Sequence, residues 1–194
     1  MIRHLPLKSF TIVIIVLLAF IIDDLTFLLI YERDAILDGE LWRLFTSHFI
    51  HFSELHLGLN IMAFGIIGWI MEERSYPGYA LLIFLMSFLI GVGMILFKPD
   101  MQYYGGLSGI AHGALVYLAL FGLEESKPWN KVSYLVLASV LIKVGIELFT
   151  GNLLTYATET FIPIPLSHMI GIFVALSQFY ILKIFGYRQV VAEK

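Results

Sequence analysis

Four polar residues in an otherwise apolar chain have side chains suited to acyl-transfer chemistry. Ser108 lies in the stretch QYYGGLSGIAHG, and His168 lies in the later stretch SHMIG. A serine hydroxyl is a weak nucleophile until a base removes its proton, and imidazole is the commonest such base in proteins. His56 and Asn60 offer N–H donors for a developing oxyanion, as does the backbone N–H of Ser108. These residue types predict that Ser108 is a nucleophile and that His168 is the general base that removes its proton.

The composition predicts that these residues lie on helices that span a membrane. The chain has 194 residues, of which 59% are hydrophobic, and its mean hydropathy is +0.88. A water-soluble domain of this length could not bury so much apolar surface, whereas apolar runs near 20 residues are typical of transmembrane helices. We therefore predict an all-α membrane protein with a single domain, 1–194, and no soluble domain. Its six predicted spans are roughly 9–27, 54–71, 78–97, 106–123, 132–150 and 163–185.

The distribution of basic residues predicts the orientation. If the N-terminus is cytoplasmic, eight lysines and arginines fall in inside segments and three fall outside. The positive-inside rule therefore favours cytoplasmic termini. We interpret the first apolar run as a retained helix rather than a cleaved signal peptide. Asp23 and Asp24 are expected at its outer end, because acids are costly near the bilayer centre.

This orientation places the candidate site residues at one depth. The second, fourth and sixth spans all run from outside to inside, and each carries a candidate near its start. Small residues then favour close packing of the fourth span, through Gly109 and Gly113, against the sixth, through Gly171. That packing would bring Ser108 and His168 within hydrogen-bonding distance. No acidic third member is identified, so the sequence predicts a dyad.

Other assignments of the polar residues remain open. His112, four residues after Ser108, could form an alternative dyad within one helix, or could pack beneath His168 and orient it. Lys143 and Glu147 are expected to pair with each other inside the bundle, although a Ser–Lys dyad is conceivable. The histidines could instead bind a metal, but no recognised ligand spacing occurs. A transporter is disfavoured because the chain has no internal repeat, and an α/β-hydrolase is excluded because G-x-S-x-G is absent.

Several motifs taken together resemble the rhomboid intramembrane serine proteases. They are ELWRLFTSHFIHFSELHLGLN, GGLSGIAHG and SHMIG. The resemblance implies a six-transmembrane-helix rhomboid-like bundle in which Ser108 is the nucleophile and His168 the base. It further implies oxyanion contacts and supporting roles for the remaining motif residues, and a cap loop over the site at 151–162. The oxyanion residues would be His56, Asn60 and Ser108, and the supporting ones Gly106, His51 and, in the first loop, Arg43. His112, the further supporting candidate, stands where bacterial rhomboids often have Tyr.

The stretch GLSGIAHG is most similar to the rhombosortase subgroup. That similarity implies removal of C-terminal Gly-Gly-type sorting tails from secreted bacterial proteins, with single-span membrane proteins as substrates. It places the chain in the bacterial inner membrane with its site opening to the periplasm. No cofactor and no nucleic acid partner are expected. A general rhomboid protease with other substrates, or a non-catalytic relative that binds membrane clients, are the alternatives.

Overall fold

The computed structural model of the chain describes residues 5–150 and 164–186, which form a bundle of α-helices. The helices are α1 (Leu7–Ile21), α2 (Asp23–Leu29), α3 (Arg33–Leu37), α4 (Arg43–Thr46), α5 (Glu54–Glu73), α6 (Tyr79–Phe97), α7 (Ser108–Gly122), α8 (Trp129–Thr150) and α9 (Pro165–Ile184). Two short strands, β1 (Tyr31–Glu32) and β2 (Tyr103–Tyr104), pair antiparallel. The predicted cap loop at 151–162 lies outside the described residues.

The bundle has the length and apolar composition of a multi-pass membrane protein. Among the described residues, α5, α6, α8 and α9 are each long and apolar enough to cross a bilayer, and α1 with α2 would make a fifth span. Helix α7, with 15 residues, is shorter than the predicted span at 106–123. At ~1.5 Å per residue it extends roughly 22 Å, less than a hydrocarbon core of about 30 Å. Most of α7 is buried among its neighbours, so lipid does not dictate its length.

The first predicted span, 9–27, is wrong at its C-terminal end. Helix α1 ends at Ile21, and the chain then turns by 111° into α2. Asp23 and Asp24 are exposed in the first turn of α2, as expected for acids that avoid the bilayer centre. The turn lets both carboxylates stay outside the bundle and lie at a helix N-terminus, where negative charge is favoured.

The first loop, between α1 and α5, is organised by the buried side chain of Arg43. Its guanidinium donates to the carbonyl oxygens of Phe27 and Ile30, at 2.8 and 2.9 Å, and to the carboxylate of Glu40 at 2.6 Å. A planar fork of donors suits three acceptors in different directions. Strand β1 also joins the loop to β2, with Tyr31 opposite Tyr104. The loop is thereby held against the segment that precedes Ser108.

Helices α7 and α9 pack in close backbone contact. A methyl group added at Gly109 would lie 2.9 Å from the carbonyl oxygen of Ser167. One added at Gly171 would clash with the carbonyl oxygen of Gly109, and one at Gly113 with the carbonyl oxygen of Gly171. Only glycine fits at these crossing points, so the predicted small-residue packing of the fourth span against the sixth is confirmed.

Candidate active site

Ser108 is the first residue of α7 and follows a glycine turn. Gly106 has a φ of +128°, a conformation that side-chain-bearing residues rarely adopt. The turn immediately precedes α7, which begins at Ser108. The first N–H groups of a helix lack intrahelical acceptors, and the helix dipole places partial positive charge there. The hydroxyl of Ser108 therefore lies at a site that favours negative charge.

The imidazole of His168 lies beside the hydroxyl of Ser108. Its Nε2 is 3.3 Å from the Ser108 Oγ, which is a long hydrogen bond. His168 lies in the first turn of α9, which starts with Pro165 at a position where a missing N–H costs nothing. The side chain is almost completely buried. The packing of α7 on α9 thus delivers the proximity that the sequence predicts for this pair.

The other ring nitrogen of His168 contacts an acid that sequence reasoning did not assign to the site. Its Nδ1 lies 2.9 Å from Oε2 of Glu147, on α8. Glu147 is fully buried, and its Oε1 pairs with Lys143 one turn earlier in the same helix. The expected pair of Lys143 and Glu147 is present, and Glu147 is also a neighbour of His168 that the predicted dyad does not include. Ser108, His168 and Glu147 form a continuous hydrogen-bonded series.

His112 contacts the imidazole of His168 face to face. The two ring centroids are 3.9 Å apart, with an interplanar angle of 21°. The Nδ1 of His112 lies 2.8 Å from the backbone carbonyl oxygen of Ser108, to which its N–H donates. This geometry matches the packing alternative from the sequence. It does not favour the dyad within one helix, because His112 is bonded to the Ser108 backbone rather than to its hydroxyl.

His56 packs directly on the glycine turn before Ser108. A methyl group added at Gly106 would lie 2.9 Å from Cε1 and 3.3 Å from Nε2 of the His56 ring. Asn60, one turn along α5, donates its amide to the backbone carbonyl of His56 at 2.8 Å. The structure therefore brings His56 to the edge of the site, whereas the amide of Asn60 is engaged within its own helix.

Two further histidines support the site from the first loop. His48 is buried, with Nδ1 3.3 Å from the carbonyl oxygen of Gly106 and Nε2 3.1 Å from that of Ser87. His51 lies 3.2 Å from the Phe49 carbonyl through Nδ1, and its ring is 4.8 Å from that of His56. Burial lowers the pKa of His48, and lowers the pKa of His51 to about 3. His51 is therefore a neutral packing and hydrogen-bonding group near pH 7.

A cleft of about 640 Å³ opens beside the hydroxyl of Ser108. Its walls come from the segment between α6 and α7 and from the start of α9, with aromatic rings from Phe52 and Tyr103. The lining is mostly apolar, with Lys98 and Asp100 among its charged residues. A cleft of this size accommodates several residues of an extended peptide.

Comparison with known proteins places these features in a family context. A family model described as "Rhomboid domain" matches residues 38–184. Curated proteins named "Rhomboid protease GlpG", from Salmonella newport (strain SL254) and Salmonella heidelberg (strain SL476), are each 32% identical to this chain over 97 residues. The matched region covers 50% of this chain and 35% of each relative, so the chain aligns with about a third of their length.

Proposed function

Because the chain belongs to the rhomboid family, we propose that it is an intramembrane serine protease with Ser108 as nucleophile and His168 as general base. The observation that carries this proposal is the 3.3 Å contact between Ser108 Oγ and His168 Nε2 at the edge of a peptide-sized cleft. The two residues come from different helices that glycines hold in backbone contact. A serine placed there only for packing would need no imidazole at its hydroxyl.

The geometry supports acylation of Ser108 by a peptide carbonyl. As Oγ attacks the carbonyl carbon, its proton passes to Nε2 of His168, and the carbonyl oxygen becomes an oxyanion. When the intermediate collapses, the C–N bond breaks and the proton moves from Nε2 to the leaving amine. Water then attacks the ester, gives a proton to the same nitrogen and releases the acid, while Ser108 regains its hydrogen.

The N-terminus of α7 supplies the first stabilisation of the oxyanion. The N–H of Ser108 has no intrahelical acceptor, and His56 packs on the adjoining turn at Gly106. One such donor is typically worth about 3–4 kcal/mol of barrier. We assign the oxyanion role to the Ser108 N–H and to His56. Asn60 uses one amide N–H on the His56 carbonyl, so its second amide N–H is the one that would join them.

We further propose that the substrates are single-span membrane proteins cut near the outer face of the bacterial inner membrane, with the termini of this chain in the cytoplasm. A transmembrane helix keeps its peptide bonds hydrogen-bonded, so the cut requires local unwinding. Glycine favours unwinding by about 1 kcal/mol per residue relative to alanine. A Gly-Gly segment before a tail helix, as in rhombosortase substrates, meets this requirement.

The experiment uses purified enzyme in proteoliposomes with three reporters that share one tail helix. Gly-Gly, Ala-Ala or Leu-Leu precedes that helix, and mass spectrometry identifies the products. We expect the wild type to cleave the Gly-Gly reporter fastest and Ser108→Ala to cleave none. Equal cleavage of all three would contradict the Gly-Gly preference and favour a general rhomboid protease. Cleavage of a reporter by Ser108→Ala would contradict the assigned nucleophile.

A further inference from the structure

The environment of Glu147 is unusual for an acid in an apolar helix. Its side chain has no exposed surface, and its two oxygens face different partners, Lys143 through Oε1 and His168 through Oε2. A buried carboxylate is stable only when it is paired. The pair with Lys143 would be sufficient for that purpose, so the second contact, directed at a nitrogen of the proposed base, calls for a functional explanation.

We propose that Glu147 is a positioning residue that makes the proposed dyad a Ser108–His168–Glu147 triad. This inference rests on the proposed function. A carboxylate only accepts hydrogen bonds, so the proton on the His168 ring is held at Nδ1, which donates to Oε2 at 2.9 Å. Nε2 is then left with a lone pair toward Ser108, as a base requires. The negative charge of Glu147 also stabilises the imidazolium that forms during acylation.

Lys143 determines which oxygen of Glu147 serves His168. An ammonium group has only donors, and it holds Oε1. In a Glu147→Gln variant the amide must therefore turn its oxygen toward Lys143 and its NH₂ group toward His168. Nδ1 would then accept a hydrogen bond, the ring proton would move to Nε2, and His168 could not take the proton of Ser108. The isosteric substitution should thus do more damage than simple truncation.

The test compares kcat and KM on the reporter for Glu147→Ala, Glu147→Gln, Lys143→Met and the double variant Lys143→Met/Glu147→Gln. We expect Glu147→Ala to lower kcat roughly 10- to 100-fold with little change in KM, as when an orienting partner of a histidine is lost. Glu147→Gln should lower it by about 10³-fold or more, because the tautomer is wrong. The double variant should recover at least tenfold over Glu147→Gln, because the amide is free to rotate.

Lys143→Met is the matched control. It removes the ion pair but keeps the contact between Glu147 and His168, so its kcat should fall less than that of Glu147→Ala, the remaining loss reflecting a buried carboxylate without its cation. Thermal unfolding in detergent shows whether each variant is folded. If Glu147 had only a structural role, the kcat of every variant would fall in proportion to its unfolding temperature. The double variant would then show no recovery of kcat over Glu147→Gln.

Three results would overturn the positioning role: a Glu147→Gln variant as active as wild type, a double variant no better than Glu147→Gln, or a Lys143→Met variant as impaired as Glu147→Ala. The first two comparisons require that Glu147→Gln and the double variant fold. If Glu147→Gln does not fold, the comparison of Lys143→Met with Glu147→Ala tests the positioning role. Failure of the proposed function is distinguished from all of these, because it would leave the wild type itself without Ser108-dependent cleavage.

Discussion

In the proposed mechanism, His168 gains and loses a proton in a place that water barely reaches. Its side chain is only 2% exposed, so the imidazolium formed during acylation is stabilised by neighbouring groups rather than by solvent. Glu147 contacts one edge of the ring, and His112 covers one face. These contacts also restrict rotation of the imidazole. At the scale of single residues, the site therefore depends on the partners of His168 as much as on Ser108.

His112 should act through its ring rather than through its basicity. An aromatic pair is worth about 0.5–1.5 kcal/mol, so losing it should cost up to roughly tenfold in kcat. We expect His112→Ala to show that loss and His112→Phe, which can still stack on His168, to stay near wild type in reporter cleavage. If His112→Phe is as impaired as His112→Ala, the hydrogen bond from His112 to the Ser108 carbonyl is the important contact instead.

At this scale the sequence predicts the nucleophile–base contact but not its acidic partner. Two spans of the same direction carry Ser108 and His168 at the same depth, and this predicts their contact. Glu147 lies near the end of a span of opposite direction, so its depth in the bundle corresponds to theirs. Its spacing of four from Lys143 already explains an acid in this helix as half of an ion pair. The sequence therefore gives no separate sign of its second partner, His168.

At the scale of elements, the distance between Ser108 and His168 depends on how closely α7 and α9 pack. A methyl group at Gly171 would meet the carbonyl oxygen of Gly109, which cannot move without shifting the helix. We expect Gly171→Ala to push the helices apart and to slow cleavage roughly 10²-fold, as misplacement of reacting groups by about 1 Å can. Its unfolding temperature should also fall.

Gly145→Ala on α8 is the control for this substitution, because nothing lies within 4 Å of the added methyl group. It should keep both activity and unfolding temperature. A fully active Gly171→Ala variant would contradict the close-packing account. So would an equal loss in both variants, because only one of the two glycines lies at a helix crossing.

The first loop should depend on the forked side chain of Arg43. Arg43 bonds the carbonyls of Phe27 and Ile30 through Nη1 and the carboxylate of Glu40 through Nε. The single nitrogen of a lysine cannot occupy both positions, and a buried acceptor left unsatisfied costs about 1–3 kcal/mol. We expect Arg43→Lys to lower the unfolding temperature measurably in detergent. Arg33→Lys, at a side chain that bonds the Ile95 carbonyl, should lower it less. Equal shifts would show that the fork is unimportant.

At the scale of the whole molecule, the orientation in the membrane can be measured directly. The chain has no cysteine, so single cysteines report without background. Asp100, at the cleft end, and Ser126, at the opposite end between α7 and α8, are both exposed. We expect a membrane-impermeant maleimide to label Asp100→Cys in spheroplasts and Ser126→Cys only after permeabilisation. The reverse pattern would contradict the proposed cytoplasmic termini and outward-facing site.

Hydropathy predicts the helices of this fold well and the connections poorly. The long apolar runs locate α5, α6, α8 and α9 to within a few residues. The bend after Ile21 and the pairing of β1 with β2 were not predicted, because each depends on tertiary contacts rather than on local pattern. Helix α7 is shorter than predicted, because its start is determined by the glycine turn rather than by lipid.

The central claim is that Ser108 is a nucleophile activated by His168. The most direct test is intact-mass analysis of the purified protein in detergent after treatment with a fluorophosphonate, which bonds to an activated serine with loss of fluoride. The account predicts one adduct on wild type and none on folded Ser108→Ala or His168→Ala. An adduct that persists in Ser108→Ala, or that forms undiminished in His168→Ala, would contradict it.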